Sequence, residues 1–291
     1  MRLISYESNT GPRTAAVTAE GIVDLNRADS ALPSCMKQFL ALGTAGVDRA
    51  RLAVASARAV PLAGLRLLPP VPRPEKVICV GLNYRDHARE SGMDPPVEPV
   101  IFSKLSSAVA TDGDPIVLPA VSNEIDYEAE LVAVIGKSGR NIPLERAMEH
   151  VAGYCCGNDV SARDWQLRKP GGQWMLGKSF DGFAPFGPTL VTADEVPRPG
   201  ELRIELRLNG QVMQLSSTSE WIFSLEQLVA YVSQACTLAS GDVLFTGTPP
   251  GVGFARKPPV FLKDGDAVEV EIESLGTLRN SVISGSAVAF K

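Results

Sequence analysis

An α+β fold with a mixed, mainly antiparallel β core is the class this sequence predicts. Apolar runs of strand length, such as residues 76–81 and 131–135, outnumber stretches with helical spacing. Strands and helices do not alternate regularly, so a doubly wound parallel sheet is not indicated. Asn209-Gly210 between two short runs is a strong hairpin signal. The 291 residues, 45% hydrophobic and 21% charged, have ordinary globular values. A chain of that length buries about three quarters of its unfolded surface.

Residues 1–25 hold short apolar stretches broken by Asn-Thr-Gly-Pro and Glu-Gly, which read as small antiparallel strands. Residues 34–60 have helical composition, rich in Ala, Leu, Arg and Met. LRLLPPVPRPEK then places four prolines between Pro69 and Pro74, an extended linker. A boundary near residue 70 therefore divides a small N-terminal α/β domain, 1–70, from a larger domain, 71–291. KVICVG reads as a buried strand, and NYRDHARESG as a helix or tight turn ended by Gly92. The proline-bearing MDPPVEPV reads as a mobile loop, so a lid is expected from Tyr84 to about Pro99.

Residues 123–136, NEIDYEAELVAVIG, carry Glu124, Asp126, Glu128 and Glu130 ahead of an unbroken apolar run. Side chains two apart share one face of a strand, so the four would form one acidic row. Like charges that close raise one another's pKa. Two readings stay open: a solvated, charged strand edge, or a hard-cation site built from oxygen ligands.

Residues 143–148 begin a helix and 151–156 form a strand, followed at once by the polar GNDVSARDWQ. Residues 171–188, rich in Gly, Phe and Pro, read as irregular. Residues 203–208 and 212–215 make the hairpin around Asn209-Gly210. Residues 224–238 are helical with Ser224 as N-cap. Residues 243–246 form a strand leading into GTPPGVG, and 267–272 with 277–283 form a last hairpin around Leu275-Gly276.

Net charge of −5 and the absence of a dense Lys/Arg run argue against a nucleic-acid surface. No run reaches about 18 apolar residues, so no membrane span is expected. The N-terminus lacks the apolar core of a signal peptide. An odd set of cysteines, Cys35, Cys79, Cys155, Cys156 and Cys236, without CxxC spacing suits a reducing compartment. A soluble cytoplasmic protein is expected, with an organelle matrix as the alternative.

There are two histidines. His150, at a helix end, reads as structural or exposed. His87 lies three residues before Glu90, on one helical face. This is either a local helix pair or a carboxylate-oriented base. GQWMLGKS, 172–179, matches the phosphate-loop spacing, but its bulky interior and the prolines after it exclude that fold. Lys178 remains a candidate functional residue.

NYRDHARE, IDYEAELVAVIGK, GNDVSARDWQ, QWMLGKSFDGFAPFGP and GDVLFTGTPPGVG, in that order, resemble the fumarylacetoacetate hydrolase family over roughly residues 70–285. The branch with ARDWQ, GKSFD and TGTPPGVG, which holds many acylpyruvate-type enzymes, is the most similar. The resemblance implies a mixed β-roll, a homodimer and a divalent metal, Mg²⁺ or Mn²⁺, with Ca²⁺ as an alternative. It implies metal ligands at Glu128, Glu130 and Asp159, and a catalytic His87–Glu90 pair with Lys178. It implies substrate contacts at Arg163, Gln166, Lys178 and Thr248, and leaves Glu124 and Asp126 outside the ligand set.

The implied function is metal-dependent hydrolysis of a C–C bond in an acylpyruvate-type 1,3-diketo acid, fumarylpyruvate- or fumarylacetoacetate-like, releasing pyruvate or a related acid. The alternatives are oxaloacetate decarboxylation or tautomerisation, and isomerase or decarboxylase activity of the 2-hydroxyhepta-2,4-diene-1,7-dioate type. Oxaloacetate decarboxylation and tautomerisation both pass through an enolate held by the same metal. A metal-binding protein without activity would have lost the His–Glu pair or the lysine, and both are present. A small 2-oxo acid is the expected partner, with no nucleic acid and no membrane.

Overall fold

The computed structural model describes residues 1–90, 92 and 94–285. The chain opens with a meander: β1 (Arg2–Tyr6), β2 (Arg13–Thr18) and β3 (Gly21–Asp24) pair antiparallel in order. α1 (Leu25–Ala28) starts where the Asp24 carboxylate accepts from the Arg27 amide, 2.8 Å. α2 (Met36–Leu40) and α3 (Gly43–Ser56) realise the helical composition of that stretch. β4 (Leu67–Leu68) returns to β1. Residues 69–76 hold no helix or strand, as their prolines require.

β5 (Val77–Gly81) leads into α4 (Arg85–Glu90), and β6 (Val100–Lys104) returns antiparallel to β5. The short β7 (Val109–Ala110), β8 (Ile116–Leu118) and β9 (Ile125–Asp126) precede β10 (Ala129–Ile135). All seven residues of β10 are buried, as an apolar run at the centre of a sheet should be. β11 (Val151–Asn158) lies antiparallel beside it. Then come β12 (Ser161–Ala162), α5 (Arg163–Arg168), α6 (Trp174–Gly177) and β13 (Ala184–Thr192).

β14 (Arg203–Leu208) and β15 (Gln211–Ser217) flank the Asn209-Gly210 turn, where both residues take positive φ, 53° and 79°. α7 (Leu225–Ala235) is capped by Ser224, and Gln227 completes the capping box. β16 (Val243–Phe245), β17 (Ala267–Ile272) and β18 (Gly276–Ser284) finish the described chain.

The largest sheet runs β3-β2-β1-β13-β11-β10-β16-β5-β6, and a second runs β15-β14-β17-β18-β8. Pairing is antiparallel apart from β5 with β16, β7 with β13 and β8 with β18. The N-terminal meander joins the main sheet through β1 against β13, with Leu3 opposite Leu190. Residues 1–70 thus share a sheet with the rest of the chain, and their division into a separate domain is a proposal about folding units.

Two expectations need correction. Residues 171–188 are not irregular throughout, since β13 begins at Ala184. The register between β11 and β13 shifts between Tyr154 and Cys156, the latter opposite Gly187. Pro188 falls in that bulge, where a missing N–H breaks no ladder. Nor do the four acids form one row. Tyr127 and Glu128 leave strand geometry between β9 and β10. There the Glu128 and Ala129 amides donate to Asn158 Oδ1 and Gln214 Oε1, 2.9 and 2.8 Å, instead of to a ladder. Glu124 pairs with the exposed Arg168, and Asp126 with Arg163.

Candidate active site

Three buried carboxylates meet where β10 and β11 end their pairing. Glu130 faces Gly157 across the ladder. The Asp159 amide donates to the Glu128 carbonyl at 2.9 Å, carrying the pairing one step beyond the strands. Oxygens of Glu128, Glu130 and Asp159 lie within 4.8 Å of one another.

Cations surround two of the three. Lys178 Nζ donates to Glu128 Oε2, Asp159 Oδ2 and Ser161 Oγ at 2.9, 2.8 and 2.7 Å. Arg163 Nη2 reaches Glu128 Oε1 at 2.7 Å. Lys104, fully buried, donates to Asp159 Oδ1 and to the Val160 carbonyl. Sequence reasoning missed Lys104. Its only signal was a lone lysine closing the apolar VIF run.

Among the described residues no lysine or arginine forms an ion pair with Glu130, which accepts from the Gly247 amide at 2.7 Å. Burial, then the Asp159 and Glu128 charges, push its pKa well above the usual range. At Glu128 burial opposes ionisation, but Lys178 and Arg163 outweigh it and hold the pKa down to about 2. Burial likewise opposes the Lys178 charge, and Asp159 with Glu128 outweighs it, so its pKa is raised. A buried carboxyl held beside two others without a counter-charge fits a bound cation. The all-oxygen set suits a hard divalent ion such as Mg²⁺, Mn²⁺ or Ca²⁺.

On α4, His87 Nδ1 lies 3.3 Å from Glu90 Oε2. Glu90 also accepts from the Gly251 amide at 3.0 Å. Burial opposes its ionisation, and His87 and the Gly251 amide override that to lower its pKa. Ser216 Oγ donates to Asp86 Oδ2 at 2.6 Å, and Tyr84 is buried. The expected lid from Tyr84 to Pro99 therefore divides. Residues 84–90 are docked on their neighbours, and 94–99 carry no regular element. His150 accepts a structural role, its Nδ1 lying 2.7 Å from the Lys137 carbonyl.

A cavity of about 130 Å³ brings together His87, Glu128, Arg163, Gln166, Lys178 and Thr248. Glu130 and Asp159 are buried beside Glu128, and Glu90 is joined to the cavity through His87. Gln166 accepts from Arg163 Nη1 at 2.9 Å, and Thr248 Oγ1 accepts from Gln214 at 2.9 Å. Trp174 packs edge-on to Phe102, 5.5 Å between centroids, to form the apolar side. The 172–179 stretch lies across α6 with no strand leading in, and Lys178 faces carboxylates.

Residues 76–283 match the family model described as fumarylacetoacetate (FAA) hydrolase C-terminal. The chain belongs to the fumarylacetoacetate hydrolase family. Its sequence is 49% identical over 288 residues to Homo sapiens oxaloacetate tautomerase FAHD2A, mitochondrial, covering 97% of this chain and 92% of that one. The branch is thus the fumarylacetoacetate hydrolase domain-containing protein 2 type. Among solved structures, a putative HpcE protein from Mycobacterium smegmatis superposes with TM-score 0.88 at 40% identity, covering 98% of this chain and 99% of that one. Maleylpyruvate hydrolase from Sphingobium sp. SYK-6, in complex with manganese(II) ion and pyruvate, gives TM-score 0.82 at 30% identity, covering 98% and 100%. The fold is the mixed, mainly antiparallel α+β fold of this family.

Proposed function

We propose that this chain is a divalent-metal-dependent enzyme that interconverts the keto and enol forms of oxaloacetate. The observation that carries this reading is the 49% identity to a protein named as an oxaloacetate tautomerase over 97% of the chain. The motifs alone put acylpyruvate hydrolysis first and tautomerisation among the alternatives. The named relative favours the alternative. A cavity of about 130 Å³ also suits a short diacid.

Tautomerisation moves a proton between C3 and the 2-oxo oxygen. It needs a base at C3 and positive charge where the oxygen gains electron density. When bound at Glu128, Glu130 and Asp159, a divalent ion supplies Lewis-acid polarisation of that oxygen. Lys178 fixes an ammonium at the same wall. Arg163 and Gln166 hold one substrate carboxylate, and Thr248 contacts the substrate from the glycine-rich loop. Glu90 accepts from His87 Nδ1, which leaves Nε2 free of its proton. His87 Nε2 takes the C3 proton, and the C–H electron pair passes into the C2–C3 bond and the 2-oxo oxygen of the enolate. That oxygen then takes a proton back from the His87 imidazolium or from water; the reverse sequence returns a proton to C3.

Hydrolysis of acylpyruvates is the second reading. It is favoured by the similarity to maleylpyruvate hydrolase, because the same His87 can deprotonate a water. Loss of enol absorbance from oxaloacetate, followed beside cleavage of a panel of acylpyruvates with Mg²⁺ or Mn²⁺, separates them. Tautomerisation is expected to have the higher kcat/KM, and faster acylpyruvate cleavage would reverse the assignment. A homodimer in an aqueous, reducing compartment, cytoplasm or matrix, belongs to the same proposal. The cysteines among the described residues are all free, and no helix there is long and apolar enough to cross a membrane.

A further inference from the structure

We infer that Asp126 is a positioning residue, which clasps the turn at Gly253 and Phe254 to the Arg163 guanidinium and thereby sets the carboxylate-binding wall of the cavity. This rests on the reading that Arg163 meets a substrate carboxylate. Asp126 is fully buried on β9, opposite Ser161 of β12. Its Oδ1 accepts from the Gly253 and Tyr127 amides, 2.7 and 2.8 Å. Its Oδ2 accepts from the Phe254 amide at 2.9 Å and from Arg163 Nε and Nη2 at 2.8 Å. Both oxygens are saturated, so this carboxylate has no capacity left for a metal or a substrate.

The clasp fixes Arg163 in two ways. Its Nε edge is held by the ion pair. Its face lies under the Phe254 ring, 5.9 Å from centroid to guanidinium carbon, and the same carboxylate anchors that ring's backbone. Nη1 donates to Gln166, and its second N–H has no protein partner among the described residues. Arg163 lines the cavity, so that N–H is the one available to a carboxylate. The turn approaches this closely because residue 253 is glycine. A Cβ there would lie 2.6 Å from Asp126 Oδ1 and 1.9 Å from the Val260 carbonyl. Two residues earlier the Gly251 amide donates to Glu90, so one loop links the Arg163 wall to the His87–Glu90 helix.

Without its charge, Arg163 has one remaining acid partner, Glu128, and turns toward it and away from the substrate. The test uses oxalate, a small dicarboxylate, binding to Mn²⁺-saturated protein by calorimetry. Asp126→Asn keeps the shape and should weaken oxalate about tenfold, the equivalent of one charge-assisted hydrogen bond. Arg163→Met should weaken it at least as much, and Asp126→Asn should add nothing in the Arg163→Met background. A merely structural role would lower Tm and leave the oxalate Kd unchanged.

An oxalate Kd within about threefold of wild type, or full additivity in the double variant, overturns the inference. So does a wild type that binds no oxalate. If Asp126→Asn does not fold, Phe254→Ala reads the other half of the clasp. Phe254 is 45% exposed, so folding tolerates the loss of its ring, and a weakening is again expected with none overturning the inference. A wild type that binds oxalate but does not tautomerise oxaloacetate refutes the proposed function and leaves this test intact.

Discussion

At Glu130, burial and two neighbouring carboxylates act in the same direction, whereas at Glu128, two residues away, cations reverse the effect of burial. The difference lies in the partners, because both carboxyls are buried on the same short segment. His87 is different again. Its nearest charged partner, Glu90, is partly exposed and bound at Nδ1, so the ring has one nitrogen for chemistry. On the proposed reading, His87→Ala removes the base and leaves the metal ligands and the Arg163 wall in place. It should slow oxaloacetate tautomerisation by about 10²–10⁴-fold while oxalate affinity stays at the wild-type value. Stopped-flow decay of enol absorbance measures the first and calorimetry the second. Tautomerisation within a few-fold of wild type would remove His87 from the mechanism.

Among the elements, the N-terminal meander shows how a short sheet is secured by one polar contact. Asp24 ends β3, caps α1 and accepts from Tyr6 and Arg13 at once. Burial opposes its ionisation, and the Arg13 and Tyr6 hydrogen bonds override that, so its pKa is lowered in the fold. A carboxyl whose folded pKa is depressed stabilises the protein above its unfolded pKa. That stabilisation is lost as pH falls through the lower, folded value. Asp24→Asn should therefore cost about 1–3 kcal/mol at neutral pH, and the deficit should shrink as the pH drops below the unfolded carboxylate range. Urea unfolding of both proteins across acid and neutral pH checks this. A deficit that is constant with pH would assign the loss to packing instead of charge.

For the whole molecule, the charge around the cavity sets what can bind there. Asp126, Glu128, Glu130 and Asp159 face Lys104, Arg163 and Lys178, four acids against three cations. Fully ionised, they leave one negative charge in excess. The raised pKa of Glu130 favours its protonated form until a cation binds, and a divalent ion that displaces that proton would leave one positive charge in excess. On the proposed reading, the site takes a cation first and an acidic substrate second. Exhaustive removal of metal by EDTA should lower Tm and abolish tautomerisation. Mn²⁺ or Mg²⁺ at about 100 times its Kd should restore about 2.7 kcal/mol of stability. Thermal unfolding with and without metal reads this directly, and an unchanged Tm together with full activity would exclude a metal site here.

The strand at 131–135, the Asn209-Gly210 turn and the Ser224 cap were legible in the sequence, because each depends on side chains within a few positions of one another. The motifs singled out Glu128, Glu130, Asp159, Lys178 and the His87–Glu90 pair, and the fold brings the three acids within 4.8 Å of one another while His87, Glu128 and Lys178 line one cavity. The course of the acidic row was not legible. Strand periodicity holds only while the backbone stays in a ladder, and Asn158 and Gln214 take over the amides of Glu128 and Ala129. Nor could spacing show that Lys104 neutralises Asp159, or that Asp126 holds Gly253 from 127 positions away. Local sequence determined which residues could form strands, turns and caps. Tertiary structure decided which buried carboxylate gained a lysine or arginine, which gained backbone amides and which lies beside two other acids. Those partners arrive by strand pairing and loop docking across the sheet.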